Sequence, residues 1–258
     1  MKKTTKTILK KKGVEKIAMI TAYDALFAKL ADAADVDIIL VGDSVGNTVL
    51  GYDSTVPVTL DIMTHHTAAV ARAKPNALIL ADLPFTCAHY SFDRLLDSCK
   101  KLIQEGGADA VKIEGGIEIA DKIAKLTRAG IAVMGHIGLE PQQVLKLGGY
   151  RKFGKSEQEK EKILADAKAL ENAGVFALLM EMTDADCAKE VTKLASVPTI
   201  GIGAGSDCDG QVLVCADILG FTENPPSFVK QYAQLGNDVV NAYKQYIAEV
   251  RNGQFPSK

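Results

Sequence analysis

The sequence predicts a single α/β domain over residues 1–258, a (β/α)₈ barrel preceded by a short helix. Three observations lead to this prediction. Eight short apolar runs recur along the chain, amphipathic stretches separate most of them, and 258 residues are typical of one such barrel. No linker or low-complexity tract divides the chain. An open, doubly wound sheet is the alternative that the same alternation allows.

The predicted strands are continuous apolar runs, several of them rich in Ile and Val, as expected of strands buried on both faces of a parallel sheet. They cover 17–22, 37–42, 77–81, 110–113, 131–135, 176–180, 198–203 and 212–216. The predicted helices have amphipathic spacing. They cover Ala25–Ala34, Leu60–Ala73, Phe92–Gln104, Ile117–Ala129, Glu157–Asn172, Asp186–Ala195 and Phe228–Val250, after a short helix that contains Ile8 and Leu9.

Capping residues support several of these helix ends. Side chains that accept hydrogen bonds from the first turn are predicted N-caps. These are Ser91, Ser156 and Asp184. Glycines placed just past a last turn are suited to the left-handed conformation that ends many helices. These are Gly106, Gly130 and Gly174.

The charge balance and the cysteine pattern exclude some classes of protein for this chain. Lys plus Arg number 30 and Asp plus Glu 32, which argues against a nucleic-acid-binding protein. No run approaches the roughly 18 apolar residues of a membrane span, and the Lys-rich start has no apolar signal core. Five cysteines without a CxxC pair predict buried free thiols. We therefore expect a cytoplasmic protein without nucleic-acid or membrane partners.

Ionisable residues follow six of the predicted strands. They are Asp43, Asp82, Glu114, His136, Glu181 and Asp217. In a barrel of this type, the carboxyl ends of the strands converge on one rim, where catalytic groups lie. The sequence therefore predicts an active site there.

Three carboxylates, those of Asp43, Asp82 and Glu114, come from adjacent strands. Carboxylates brought together repel one another, so a cation is expected among them, and oxygen ligands favour Mg²⁺. In the alternative interpretation, the aspartates cap helices or pair with Lys112. Lys112 also lies two residues before Glu114, on the same strand face. That spacing fits either a plain buried ion pair or one anion-binding and one metal-binding group.

Three further features bear on the rim. The loop 44–59 is long enough to form a lid or a binding loop. The Gly-rich run 201–205 fits either a phosphate-binding loop or close backbone packing. His65 and His66 are interpreted as structural, because adjacent residues of a helix face different directions.

Longer motifs resemble the ketopantoate (3-methyl-2-oxobutanoate) hydroxymethyltransferase family, in order and over nearly the whole chain. The motifs are TAYD (21–24), VGDSVGNTVLGYDSTVPVTL (41–60), MTHHTAAVAR (63–72), ADLPF (81–85), AVKIEGG (110–116), GHIGLEPQ (135–142), GGY (148–150) and IGIGAGSDCDGQVLVCADILG (200–220). The chain departs from the family pattern at 86–90, Glu140 and 182–184, all in predicted rim loops.

The resemblance implies a barrel of the phosphoenolpyruvate/pyruvate-like group and a specific reaction. Such enzymes transfer a one-carbon unit from 5,10-methylenetetrahydrofolate to 3-methyl-2-oxobutanoate, giving 2-dehydropantoate for pantothenate synthesis through an enolate that Mg²⁺ stabilises. It also implies cytoplasmic homo-oligomers, decamers in bacterial members. Apolar stripes on 4–11 and on the helix from Phe228 independently favour a homo-oligomer.

The same resemblance assigns roles to individual residues. It implies that Asp43 and Asp82 bind Mg²⁺ with Glu114 beside them, and that Glu181 is the general base. The implied contacts to the keto acid are Asp43, Ser44, Asp82, Lys112 and His136. Two alternatives remain at this point. One is a metal-dependent keto-acid aldolase or lyase that needs no folate, and the other is a barrel that binds small molecules without catalysis.

Overall fold

A computed structural model describes residues 1–256 of the chain. Within that range, eight parallel strands close into a barrel in chain order, which confirms the predicted fold class. The strands are β1 Ile17–Thr21, β2 Ile38–Val41, β3 Leu78–Asp82, β4 Ala110–Glu114, β5 Val133–Gly138, β6 Ala177–Glu181, β7 Thr199–Ile202 and β8 Gly210–Leu213. The backbone N–H of Ile17 donates to Asp209 O at 2.9 Å, where the barrel closes.

Helices alternate with the strands. They are α1 Thr5–Leu9, α2 Ala25–Ala33, α3 Val45–Thr48, α4 Leu60–Ala71, α5 Phe92–Gln104, α6 Ala120–Arg128, α7 Val144–Leu147, α8 Glu157–Asn172, α9 Ala185–Leu194, α10 Cys215–Ile218 and α11 Leu235–Arg251. Short 3₁₀ turns cover Cys87–His89, Ile117–Ile119 and Pro141–Gln143. None of the helices within residues 1–256 is long and apolar enough to cross a membrane.

The parallel register sets side chains from neighbouring strands opposite one another at the carboxyl end. The opposed pairs are Asp82 with Lys112, Glu114 with His136, and Gly138 with Glu181. Because these pairs follow one another around the rim, four consecutive strands, β3 to β6, present polar groups to the same region.

The barrel interior is filled by apolar side chains. Its buried members include Ile8, Ile17, Met19, Ile38, Leu40, Leu78, Leu80, Met134, Leu179 and Ile200. Ile8 belongs to α1, so the N-terminal helix contributes to this core. Two ion pairs with buried aspartates fix the segment that follows α1. Lys11 pairs with Asp37 and Lys12 pairs with Asp209, each at 2.7 Å.

The eighth strand differs from its prediction. The apolar run 212–216 was predicted to be extended, but β8 covers Gly210–Leu213 and the helix α10 begins at Cys215. A short apolar run fits a buried strand and a buried helix equally well. Asp217 consequently lies inside α10, where it accepts a hydrogen bond from the Thr222 hydroxyl at 2.7 Å, so its predicted place at a strand end was wrong.

Most predicted caps are confirmed. Ser156 and Asp184 accept hydrogen bonds from first-turn N–H groups, whereas the Ser91 side chain makes no capping bond. Gly130 and Gly174 have φ of 91° and 89°. At the end of α5, however, the left-handed residue is Gly107 at φ 76°, not Gly106.

The chain forms two compact units, the barrel from Met1 to Val212 and a smaller unit from Leu213 onward. In the smaller unit, α11 begins seven residues later than the predicted start at Phe228 and exposes Val240, Tyr243 and Ile247. A single domain over 1–258 stays a prediction. All five cysteines are free and buried, as expected.

Candidate active site

The predicted rim residues from four strands and one loop come together. Asp43 lies two residues beyond β2, and the others lie on β3, β4, β5 and β6. They are Asp82, Lys112, Glu114, His136 and Glu181. All are buried except Glu181, whose side chain is 20 % exposed. We call these six residues the rim cluster.

Asp82 is tied to both of its neighbours in the barrel. Its Oδ2 accepts the backbone N–H of Asp43 at 3.0 Å, and its Oδ1 lies 3.1 Å from Lys112 Nζ. Pairing with Lys112, one of the interpretations left open by the sequence, is therefore what the structure shows for Asp82. Ser44, rather than either aspartate, occupies the N-cap position of α3, and its Oγ lies 2.8 Å from Tyr23 Oη.

Lys112 stays charged although it is buried. Burial alone would lower the pKa of its amine, but three neighbouring carboxylates, foremost that of Asp82, raise it above the ordinary value. Lys112 Nζ lies 3.0 Å from His136 Nδ1. Because an ammonium group can only donate, Nδ1 is the acceptor and the imidazole is neutral with its proton on Nε2.

His136 links Lys112 to Glu181. Its Nε2 lies 3.4 Å from Glu181 Oε2, too far for a good hydrogen bond. Burial, followed by the positive charge of Lys112, holds the pKa of His136 well below its usual range. A neutral imidazole with an N–H facing Glu181 can orient that carboxylate without supplying a charge.

Burial makes three carboxylates of the rim cluster, those of Asp43, Glu114 and Glu181, unusually basic. It raises the pKa of Glu181 to about 7, and together with the nearby Asp82 it raises that of Asp43 to about 7. Burial and then Asp43 raise the pKa of Glu114 well above its usual range. One ammonium ion thus faces four carboxylates, and an added cation would stabilise their ionised forms.

The backbone at Glu181 is held closely by its neighbours in sequence and on β5. Met182, the next residue, has a φ of 42°, and the Thr183 hydroxyl donates to Glu181 O at 3.1 Å. A Cβ on Gly138 would lie 2.5 Å from that same Glu181 oxygen, so only glycine fits there. These contacts fix the end of β6 against β5.

Gln142 is a site residue that the sequence analysis missed. It lies in the turn Pro141–Gln143 and is 9 % exposed. Its Nε2 donates to Asp43 Oδ2 and to Leu83 O, both at 2.8 Å, and its backbone N–H donates to Glu114 Oε2 at 3.1 Å. Gln142 is the last residue of the motif GHIGLEPQ (135–142), but neither that motif nor its position after Pro141 indicated a contact with Asp43.

Several of the carboxylates accept hydrogen bonds from protein donors, and they are not arranged as a preformed metal site. Among residues 1–256, no group of three or more His, Cys, Asp or Glu side chains is placed to hold a metal ion. Asp43 and Asp82 remain the two adjacent carboxylates available to one, and Asp82 Oδ1 is buried without a well-directed hydrogen bond. Mg²⁺ is commonly held by one or two carboxylates and water, so two suffice.

A cavity of about 740 Å³ adjoins the rim cluster. Gln142 and Gly138 form the wall nearest to the cluster, and Phe85, Phe153 and Leu147 contribute apolar surface. Charged groups of both signs line the cavity, among them Arg151 and Glu159. Its size and mixed lining are those of a pocket for a sizeable organic ligand.

The remaining sequence features have structural explanations. His66 Nδ1 lies 2.7 Å from Tyr23 O, in agreement with a structural role. In the Gly-rich run, a Cβ on Gly201 would lie 2.9 Å from Cys208 Sγ, which favours close packing as its reason.

The closed barrel and the rim cluster define a (β/α)₈-barrel enzyme, and solved structures share the fold. A 2,3-dimethylmalate lyase, described as a member of the PEP mutase/isocitrate lyase superfamily, aligns with a TM-score of 0.62 at 17 % identity, over 100 % of this chain and 91 % of its own. A phosphonopyruvate hydrolase in complex with oxalate and Mg²⁺ aligns with a TM-score of 0.64 at 15 % identity, over 98 % and 88 %.

Sequence comparison defines the family. The family model described as ketopantoate hydroxymethyltransferase matches residues 2–258. Proteins called 3-methyl-2-oxobutanoate hydroxymethyltransferase are 56 % identical in Staphylothermus marinus, over 100 % of this chain and 95 % of the relative, and 55 % identical in Moorella thermoacetica, over 97 % and 93 %. The chain belongs to the ketopantoate hydroxymethyltransferase family and is an enzyme, a hydroxymethyltransferase.

Proposed function

We propose that the enzyme transfers a hydroxymethyl unit from 5,10-methylenetetrahydrofolate to 3-methyl-2-oxobutanoate, giving 2-dehydropantoate. The observation that carries this proposal is the rim cluster itself. A buried ammonium ion, two aspartates and a basic, partly accessible carboxylate stand together in a chain of this family. These groups are the ones needed to bind a 2-keto acid and remove a proton beside its ketone.

The donor set fits Mg²⁺, which Asp43 and Asp82 would hold with Glu114 beside them. Buried carboxylate oxygens are hard ligands, and burial together with nearby Asp82 raises the pKa of Asp43 to about 7, a repulsion that a bound cation would relieve. When bound, Mg²⁺ would supply positive charge that polarises the keto and carboxylate oxygens of the substrate. Mg²⁺ in the phosphonopyruvate hydrolase of the same fold agrees with this assignment.

Glu181 is the proposed general base. With a pKa of about 7, its carboxylate is ionised in a large fraction near neutral pH and still basic enough to accept a carbon-bound proton. It would take the proton from the branched carbon next to the ketone. The neutral N–H of His136 faces Glu181 at 3.4 Å and brings no charge to it, so we assign His136 to binding of the keto acid rather than to proton removal.

Lys112 would balance the negative charge that develops when the proton leaves. Its ammonium ion is fixed by Asp82 and His136, so it needs no reorganisation during the reaction. Ser44, held by Tyr23, would add a hydroxyl hydrogen bond to the keto acid. In the net reaction, the branched carbon bonds to the methylene carbon of the folate, both C–N bonds of that methylene carbon break, and water supplies the hydroxyl oxygen. Tetrahydrofolate leaves, and its two freed nitrogens take up the proton removed from the keto acid and one proton from water.

The adjoining cavity suits the one-carbon carrier. The keto acid is small and can be held by the rim cluster, whereas about 740 Å³ lies beyond Gln142. A pocket of ~300–1,000 Å³ is the usual size for a drug-sized ligand. We infer that the pterin part of the folate occupies this space, next to the reacting carbon.

An omission assay tests the proposal. Purified enzyme is given keto acid, methylenetetrahydrofolate and Mg²⁺, each omitted in turn, and 2-dehydropantoate is measured. We expect product only in the complete mixture. Aldehyde release without folate would instead support the keto-acid aldolase or lyase, and no reaction under any condition would support a barrel without catalysis. A cytoplasmic location and a homo-oligomer, with the decamer implied by resemblance, stay predictions.

A further inference from the structure

Gln142 joins three strand ends of the rim cluster through three hydrogen bonds. Its side-chain amide bonds to Asp43 beyond β2 and to Leu83 beyond β3, and its backbone N–H bonds to Glu114 on β4. The distances, 2.8, 2.8 and 3.1 Å, are those of well-formed hydrogen bonds. This residue is 99 positions from Asp43 in sequence.

The orientation of the amide is determined by its partners. Asp43 Oδ2 and Leu83 O are both acceptors, so the amide nitrogen, with its two hydrogens, must face them. Rotating the amide by a half turn would place its oxygen against two acceptors. Within the described part of the chain, the Gln142 amide makes the one side-chain hydrogen bond to the Asp43 carboxylate.

We propose that Gln142 is a positioning residue that fixes the Asp43 carboxylate for Mg²⁺ binding, an inference that rests on the proposed use of Mg²⁺ by Asp43 and Asp82. A carboxylate held at one oxygen presents the other in a defined direction. Without the amide, Asp43 would be free to turn, and part of the Mg²⁺ binding energy would be lost in ordering it. The Leu83 bond keeps the amide in place when the metal is absent.

The same residue lies on the wall between the rim cluster and the large cavity. A ligand in that cavity would therefore contact the group that orients Asp43. This arrangement makes Gln142 a direct physical link between the pocket and the Asp43 carboxylate.

The test replaces Gln142 by methionine, which has nearly the same length and shape but cannot donate. Gln143→Met is the matched control, because Gln143 lies in the same turn but bonds only to Glu140 and Lys146 in the described structure. Mg²⁺ binding is measured by calorimetry without substrates, and thermal unfolding is followed in parallel. Turnover is then measured as a function of Mg²⁺ concentration.

We expect Gln142→Met to weaken Mg²⁺ binding by roughly 10- to 100-fold, the usual effect of removing a partner of a metal ligand. Turnover should recover largely at saturating Mg²⁺, since Asp43 itself is retained, and Gln143→Met should bind Mg²⁺ as the unmodified enzyme does.

Two results would overturn the proposal, and they are distinguishable. In the first result, the unmodified enzyme binds Mg²⁺ and Asp43→Asn abolishes that binding, but Gln142→Met leaves the affinity unchanged within twofold. Only the proposed role of Gln142 then fails. If the unmodified enzyme does not bind Mg²⁺, the metal assignment fails and this inference with it. A loss of thermal stability in Gln142→Met at unchanged Mg²⁺ affinity would assign Gln142 a structural role only.

Discussion

Glu181→Gln separates proton removal from carbon transfer. With keto acid and Mg²⁺ but no folate, the enzyme should exchange the hydrogen on the branched carbon with D₂O, because the rim cluster is complete. Burial raises the pKa of Glu181 from 4.5 to about 7. That rise makes the carboxylate about 300-fold stronger as a proton acceptor, at one power of ten per pKa unit. Gln is nearly isosteric and cannot take the proton.

The expected loss follows from the role of the residue. A general base commonly contributes ~10²–10⁴-fold, so both exchange and turnover should fall by at least about 100-fold. Exchange by the unmodified enzyme should rise with pH, since the ionised form is active, and level off above a midpoint no higher than about 7. A bound cation lowers that midpoint, because it favours the ionised form.

The assay is proton NMR of the keto acid in D₂O, with keto-acid binding measured separately to show that Glu181→Gln still binds substrate. Glu140→Gln is the matched control. Burial also raises the pKa of Glu140, but this residue lines the cavity rather than the rim cluster. Near-normal exchange by Glu181→Gln, together with loss of exchange in His136→Asn, would refute the assignment and make His136 the base.

Three further predictions concern the metal, the core of the site and the assembly. Asp43→Asn and Asp82→Asn should fold normally but bind Mg²⁺ at least about 100-fold more weakly by calorimetry. Each removes a unit charge, and the interaction of two unit charges 4 Å apart is worth up to ~4 kcal/mol at an effective dielectric constant of 20. Full activity of the unmodified enzyme after exhaustive EDTA treatment would contradict this prediction. Lys112→Met should lower the free energy of unfolding, measured in urea, by about 3 kcal/mol, because it leaves buried Asp82 without its counter-ion. A loss below about 1 kcal/mol would argue against that pairing. Light scattering at micromolar concentration should show a homo-oligomer, and a monomer would refute the interpretation of the exposed apolar side chains on α11.

Strand order and the main site residues could be predicted from sequence because both depend on local patterns. Continuous apolar runs identify buried parallel strands, and a residue that follows a correctly placed strand lies at the rim. Asp82, Glu114 and Glu181 were placed in this way, and each is the last residue of its strand. Asp217 is the exception, because the run before it continues into α10.

The contacts between site residues could not be predicted, because they depend on strand register and on loop geometry. Lys112 lies two residues before Glu114, yet it pairs with Asp82, because the β3–β4 register sets Asp82 and Lys112 opposite each other. Gln142 carries no charge and approaches Asp43 only through the turn Pro141–Gln143. The sequence left pairing of the aspartates with Lys112 open as an alternative, but it did not indicate Asp82 as the partner, and it gave no indication that Gln142 bonds to Asp43.

The strand and helix ends were the other source of error. After β8, an unbroken apolar run continues into α10, and no change of periodicity marks the change of conformation. At the C-terminus, the amphipathic pattern from Phe228 extends beyond the helix itself, since α11 begins only at Leu235. The pattern of apolar side chains indicates which residues can face a core. It does not determine at which residue the backbone hydrogen bonds of a helix begin.

Transfer of labelled carbon distinguishes one-carbon transfer to the keto acid from cleavage of the keto acid. The enzyme is incubated with Mg²⁺, 3-methyl-2-oxobutanoate and 5,10-methylenetetrahydrofolate carrying ¹³C in the methylene group, and the product is analysed by NMR. We expect ¹³C in the new hydroxymethyl carbon of 2-dehydropantoate, and none with Glu181→Gln over the same time. Product without ¹³C, or label that stays on the folate while the keto acid is cleaved, would contradict it.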